Sequence, residues 1–434
     1  MAKEKSKSTK KRKPKNQENE TPETVATEVP EKVGDVGEEV VSAEEISTIE
    51  SQVEEVLSNI PTTSTVKVGA LRNAMQLLAP VVPKKPAIKA VSNVLFQDGR
   101  LMATNMEVAV AIDIPEADGV CLLPFRSVLE LIKYVPGQET ITIEQSGTDL
   151  KLSWDGGSAS YTTDKIEDYP RLPEVKKDVV QTVEGDILVT ALSEMTTYCA
   201  TDNKRPVLSG VALTMGDTVD LAAGDGYRAA CKTLPIAIPP GDDLKVVIIP
   251  AATIDILQYL WAKGPRSVGN ADSLVEMLTS KGKLDLAFGK NHFSVRFGSV
   301  VMVSQLIGGK PPDFKQLIPL DPPVELRIFA PDLELAINRV KRAAGSNIVR
   351  FVWQEGSMEV SAMNSDSDRI NATMPVHANG GSGRVAIDLN YMLAYLKGKT
   401  GLVTMGVKDE SSIVTFRYSS SPIVAMMPMK PTKW

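Results

Sequence analysis

The sequence predicts an α+β protein made of three copies of one unit, each with two helices and antiparallel sheets, behind a charged N-terminal tail. Three observations carry this expectation. One apolar helix template occurs three times, each copy is followed by the same order of alternating strands and a second helix, and the first 64 of the 434 residues differ sharply in composition from the rest.

The tail comes first. Residues 1–64 hold 9 Lys/Arg against 14 Asp/Glu, whereas residues 65–434 are almost balanced at 39 against 40. Within the tail, residues 3–15 carry eight basic groups and one Glu, and residues 16–64 carry thirteen acidic groups and only Lys32. Blocks of like charge with almost no aromatics cannot offset their ordering entropy, so this segment is expected to be disordered. One stretch inside it has helical character. Ser42 and Glu45 make a capping-box pattern, and Ile46, Ile49, Val53, Val56 and Leu57 then recur at helical spacing up to Pro61. It reads either as an amphipathic helix in a solubilising tail or as a helix that docks a partner.

Three first helices share apolar offsets of 0, 3, 4 and 7: Leu71, Ala74, Met75 and Leu78; Leu188, Ala191, Leu192 and Met195; Leu333, Ala336, Ile337 and Val340. Each stripe is one buried helix face. Hairpin-like alternation about a Gly-containing turn follows in NVLFQDGRLMATN, GVALTMGDTVDLAAGD and IVRFVWQEGSMEVSAMN. A second helix is expected in LPFRSVLELIKYV, IPAATIDILQYLWAKG and IDLNYMLAYLKGK, with Pro124 and Pro250 at the entrances and Gly137, Gly264 and Gly398 near the exits. Further strands close each unit. The expected divisions are a tail at 1–64 and units at 65–182, 183–322 and 323–434, with an insertion in the second around residues 264–280.

The composition is 43% apolar, 24% charged and 5% aromatic, that of a globular protein with an aliphatic core. No run approaches the roughly 18 to 20 apolar residues of a membrane span, and the start lacks the apolar part of a secretory signal, so a cytoplasmic location is expected. Cys121, Cys199, Cys231, His292 and His377 are far apart and match no metal-ligand spacing, which argues against a structural zinc, a disulfide framework and a histidine-dependent triad. There is no phosphate loop ending in Lys-Ser/Thr. The glycine clusters at Gly224 and Gly380 read as turns, and Asn364, Ser365, Asp366 and Asp368 as a polar loop rather than a metal site. No catalytic group, metal or cofactor is expected, and the protein is read as a non-enzyme.

The basic residues are better organised. Lys84-Lys85 and Lys204-Arg205 lie between first helix and hairpin in the first two units, with Lys341-Arg342 nearby in the third. Lys133, Lys263 and Lys397 all fall in the last turn of the second helix, where a cation complements the helix dipole in any protein. If the units pack in an arc with helices inward, these groups form one basic lining suited to holding DNA phosphates without reading bases.

With these features assembled, the chain resembles the bacterial sliding clamp, the beta subunit of DNA polymerase III, over about residues 65–430. The resemblance rests on KPAIKAVSNVLFQDGRLMATN, KRPVLSGVALTMGDTVDLAAGDGYRAACKTLPI, PPDFKQLIP and AMMPMK. It implies crescent subunits joined head to tail into a homodimeric ring around duplex DNA, and a cleft where polymerase, clamp loader and repair enzymes dock by short peptides; the alternative is a clamp-like protein that binds partners without encircling DNA. Carried over by position, the cleft would comprise Leu208, Gly226, Arg228, Pro312, Leu317, Met427, Pro428 and Met429, with Tyr227 and Lys430 at its border. Gly224, Tyr227, Ala229 and Gln316 depart from the usual Thr, His, larger aliphatic and basic residue, and Thr432, Lys433 and Trp434 extend past the usual ending, over the cleft. The stretches matching the ring interface read Ala159, Ser160, Tyr161 and Ala344, Gly345, Ser346 where the family has large apolar groups. At roughly 25 cal/mol per Å² of apolar surface, this implies weak closure.

Overall fold

The computed structural model describes residues 62–434 apart from 115–116, 172–178, 203, 242–243, 265–281, 320, 346 and 365–367. The charged blocks, the helical pattern at 42–57, and Ser346, Ser365 and Asp366 therefore lie outside the described residues.

One order of elements runs through the chain three times. In the first unit β1 (Thr62–Lys67) enters α1 (Val68–Leu78); β2 (Asn93–Gln97), β3 (Arg100–Thr104), β4 (Val108–Asp113) and β5 (Val120–Pro124) enter α2 (Phe125–Ile132); β6 (Thr140–Ser146), β7 (Asp149–Trp154) and β8 (Gly157–Thr162) close it. The second has β9 (Val179–Glu184), α3 (Gly185–Thr196), β10 (Gly210–Thr214), β11 (Val219–Gly224), β12 (Arg228–Leu234), β13 (Val246–Pro250), α4 (Ala251–Lys263), β14 (Lys283–Phe288), β15 (His292–Phe297) and β16 (Val300–Gln305). The third has β17 (Val324–Phe329), α5 (Ala330–Val340), β18 (Ile348–Gln354), β19 (Ser357–Met363), β20 (Arg369–Pro375), an added short β21 (His377–Asn379), β22 (Gly383–Asp388), α6 (Leu389–Leu396), β23 (Leu402–Val407), β24 (Val414–Arg417) and β25 (Ile423–Met426). β1 starts inside the stretch expected to be tail, because residues 62–67 pair in full with β6. β9 spans the expected division at 182/183 for the same reason, pairing along its length with β14.

The helix template accounts for the core. All twelve stripe residues are at most 4% exposed, and they belong to one apolar cluster that runs through all three units. At Asp98-Gly99, between Gln97 and Arg100 of paired strands, both turn residues have positive φ (50° and 70°), the two-residue connection that suits the twist of a hairpin. The second helices start where Pro124 (ψ 103°) and Pro250 (ψ 139°) hold a non-helical ψ, and Arg72 of α1 donates from Nε to the Ile132 carbonyl at the end of α2 (2.9 Å).

Each unit makes two halves of four strands, one of them extended to five in the third unit by β21, and neighbouring units share a sheet. β5-β2-β3-β4 of the first continues into β16-β15-β14-β9 of the second through β4 and β16, with residues 108–112 against 300–304. β13-β10-β11-β12 of the second continues into β25-β24-β23-β17-β21 of the third through β12 and β25. The two joints are the same joint: fourth strand of one unit against last strand of the next. Two halves remain without a neighbour: β1-β6-β7-β8, which ends in β1 and the last strand β8, and β20-β19-β18-β22, which ends in the fourth strand β20 and in β22. No helix among the described residues is long and apolar enough to cross a membrane.

Candidate functional site

The β11–β12 turn builds the site. Asp225 accepts main-chain N–H bonds from Tyr227 and Arg228 (both 2.9 Å) and pairs with Arg228 Nε (2.9 Å), an Asx-type turn that fixes the direction of both side chains. Gly226 sits at φ +94° with the Arg205 guanidinium where a Cβ would be, so both backbone and space call for glycine. Arg228 is nearly buried. It donates to the Thr197 carbonyl (2.6 Å) and lies 5.3 Å from the Tyr198 ring and 4.4 Å from the Tyr391 ring, which joins the second unit to α6 of the third. Burial pushes the Tyr198 and Tyr391 hydroxyls up to about 12, so both rings stay neutral beside the cation.

The second wall is the short turn Phe314–Leu317. Asp313 accepts from the Gln316 N–H, and Lys315 pairs with Asp220 of β11 at 2.6 Å, which pins the turn to the sheet. Phe314 fills the space beside Gly224, where a Cβ would meet the ring at 2.5 Å; this is the physical reason for glycine at that departure from the usual Thr. The third wall is the end of β25, prolonged when the Met427 N–H donates to the Tyr227 carbonyl (2.8 Å).

Together these walls enclose a cavity of about 250 Å³ lined by Gly226, Tyr227, Arg228, Ala229, Phe314, Leu317, Ile413, Ala425, Met426 and Met427. Its floor belongs to a separate small apolar cluster with Leu208 and Cys231. Its rim is open and apolar, with Tyr227 61%, Leu317 46% and Met427 50% exposed. Burial pushes the Cys231 thiol up to about 11, so it serves as a small apolar floor residue and not as a nucleophile. Such a surface can take large apolar side chains, with Arg228 and main-chain groups to orient them.

Five expected cleft residues, Gly226, Tyr227, Arg228, Leu317 and Met427, line this one cavity. Leu208 is 6% exposed and supports the floor from behind. Pro312, Pro428, Met429 and Lys430 are not in its lining. Met429 is drawn away because its N–H donates to the Ala386 carbonyl on β22 (2.8 Å). The residues past Lys430 do not cover the cavity either: Trp434 lies over Arg384 of β22, on another sheet. Phe314, Ile413, Ala425 and Met426 were not singled out from sequence; Phe314 stands inside PPDFKQLIP, but only the fold turns its ring inward.

All nine expected DNA-contacting residues, Lys84, Lys85, Lys133, Lys204, Arg205, Lys263, Lys341, Arg342 and Lys397, are exposed. They differ in what they do. Lys133 pairs with Glu130, Lys341 donates to Asn338, and Arg205 donates to the Asp225 carbonyl (2.7 Å) against Gly226. Arg205 thus braces the Gly226 turn that lines the cavity without lining it itself. Lys263 shares a groove with Asn73 and Gln76 of α1, where Tyr259 donates to the Gln76 carbonyl (3.1 Å), so the second helix of one unit meets the first helix of its neighbour. Ala159 and Tyr161 lie half-buried on the open edge β8. Gly345 belongs to a turn after α5, the helix that packs on β20, one of the two end strands of its sheet. No group of His, Cys, Asp and Glu able to hold a metal exists among the described residues.

Comparison with known proteins agrees with this architecture. The central-domain profile of the DNA polymerase III beta subunit matches residues 182–313. The beta sliding clamp of Pseudomonas aeruginosa is 22% identical over 345 residues, covering 76% of this chain and 89% of that protein. That of Staphylococcus epidermidis is 25% identical over 319 residues, covering 68% and 78%. Among solved structures, the sliding clamp of P. aeruginosa superimposes with a TM-score of 0.74 at 21% identity, covering 85% of this chain and all of that one. The Thermotoga maritima beta subunit does so with 0.72 at 18% identity, covering 86% and 100%. The chain thus has the three-unit fold of the bacterial beta sliding clamps and resembles them in sequence, with the signature of their central domain across its middle unit.

Proposed function

We propose that this chain is a DNA sliding clamp: two copies close head to tail around duplex DNA, and replication and repair enzymes dock on the cavity between the second and third units. The observation that carries the reading is the pair of open edges. Fourth strand against last strand is the joint at both internal boundaries, and β20 and β8 are the same two strands left without a partner. An exposed edge is a template for another chain, and the same joint made between β20 of one copy and β8 of the next closes a ring. A closed ring holds DNA by topology, so it needs no base contacts and raises the local concentration of whatever enzyme it carries.

The decisive experiment is retention on DNA. After loading, the protein should stay on nicked circular duplex and be lost within minutes of linearisation, and polymerase extension on long primed templates should become more processive. Equal retention on linear and circular DNA would rule out encirclement. Sedimentation across a dilution series should show a shift from two-chain to one-chain mass, since β8 brings only Ala159 and Tyr161 as half-buried apolar groups to the closing joint.

A further inference from the structure

The last eight residues leave the cavity and cross to a different sheet. Met427, on the cavity rim, is held to the Tyr227 carbonyl, and two residues on Met429 is held to the Ala386 carbonyl of β22. The segment then meets three arginines from three strands of one sheet face. Arg350 of β18, only 4% exposed, donates from Nε to the Lys433 carbonyl (2.9 Å); Arg369 of β20 donates to the main-chain oxygen of Trp434 (3.3 Å); and the Arg384 guanidinium lies 4.5 Å from the centre of the half-buried Trp434 ring. Pro428 and Pro431 lie between the two ends, and each fixes its own φ, which leaves fewer torsions to absorb slack introduced at one end.

We infer that residues 428–434 form a strap that positions Met427, and that Trp434 is its latch: a positioning residue for the cleft that does not itself line the cavity. The inference rests on the cleft reading above and adds to it a second anchoring point on the outer sheet of the third unit. A loose rim segment has backbone freedom to lose when a peptide docks. Holding the Met427 main chain beforehand lowers that ordering cost and slows release of the peptide. The strap also draws Met429 toward β22, which leaves Met427 as the rim methionine of the cavity.

Two measurements on the full chain test this. The first is binding of a fluorescein-labelled peptide bearing a Gln and two adjacent large apolar residues, read by polarisation. Trp434→Ala and Arg384→Ala should each weaken binding by about fivefold without changing the thermal midpoint, while Trp434→Phe, which keeps an aromatic face for Arg384, should stay within about twofold. The second is NMR of the protein labelled at the methionine methyl carbons. Trp434→Ala should narrow and shift the Met427 signal, and that signal should be unaltered by Trp434→Phe. If the Met427 signal is the same in the Ala variant and the intact chain, the strap does not position it and the inference falls, whether or not peptide binds. Failure of the intact chain to bind the peptide counts against the cleft reading, and the Met427 signal then still decides the strap.

Discussion

Arg228 concentrates more of the site's physics than any other side chain. Its guanidinium is shared among the Asp225 carboxylate, the Thr197 carbonyl and two tyrosine rings, one from each of two units. Removing one member of a nearly buried ion pair leaves the other uncompensated, so Arg228→Met should destabilise the chain by about 3 kcal/mol, read from urea unfolding midpoints, and Arg228→Lys should recover only part of it. The buried thiols and phenols make a separate prediction about pH. Burial raises Cys121 and Cys199 from 9.0 to about 12, and Tyr198 and Tyr391 from 10.0 to about 12. For groups raised in the folded state, the stability they contribute is whole below about pH 9 and is lost as pH rises toward 12, because the unfolded chain releases those protons first. The urea midpoint should therefore be level between pH 7 and 8.5 and fall steadily above pH 9.5. None of the three cysteines should react with a thiol reagent at pH 7.5 until the chain unfolds.

At the scale of elements, the edges β8 and β20 form the closing joint of the proposed ring. β20 carries Ile370, 40% exposed, and β8 carries Tyr161; α5 packs behind β20. A charge placed on an edge strand disfavours pairing with another chain at little cost to its own sheet. Tyr161→Asp or Ile370→Asp should raise the dissociation constant for self-association by about tenfold or more while the one-chain species keeps its fold, as read by sedimentation and circular dichroism. The sequence expectation named Ala159 and Tyr161, which lie on the edge strand β8, and Gly345, in the turn after α5, the helix that packs on β20.

Across the whole molecule, charge and the tail matter. The nine basic positions are all on the surface, but Arg205 is engaged at the Gly226 turn, so the test of DNA contact belongs to Lys85, Lys263 and Arg342. Reversing these three together should weaken non-specific duplex binding and reduce the slope of log affinity against log salt by about two to three, while leaving peptide binding in place. Residues 1–61 hold a basic block ahead of an acidic one. Their removal should leave the thermal midpoint unchanged, and a fall of several degrees would show that the tail is part of the folded unit.

Local physics in the chain alone determined a good deal about this protein. The threefold helix stripe, the hairpins about Asp98-Gly99 and Glu355-Gly356, the helix entrances at Pro124 and Pro250 and the lack of any metal or nucleophile spacing all follow from periodicity, turn chemistry and ligand counting over a few residues. The cavity needed more. Gly226, Tyr227 and Arg228 are neighbours in sequence, but Leu317 and Met427 join them only because β12 pairs with β25 and Lys315 ties its turn to Asp220, contacts between segments about one to two hundred residues apart. The same long-range pairing took Met429 out of the cavity, made Arg205 a brace of the Gly226 turn and left β20 as an end strand of its sheet. Hydrophobic period and turn propensity are properties of a short window and can be read there. Strand order and the direction in which a side chain finally points are decided by which distant edges satisfy each other's hydrogen bonds, and that is settled only when the whole chain packs.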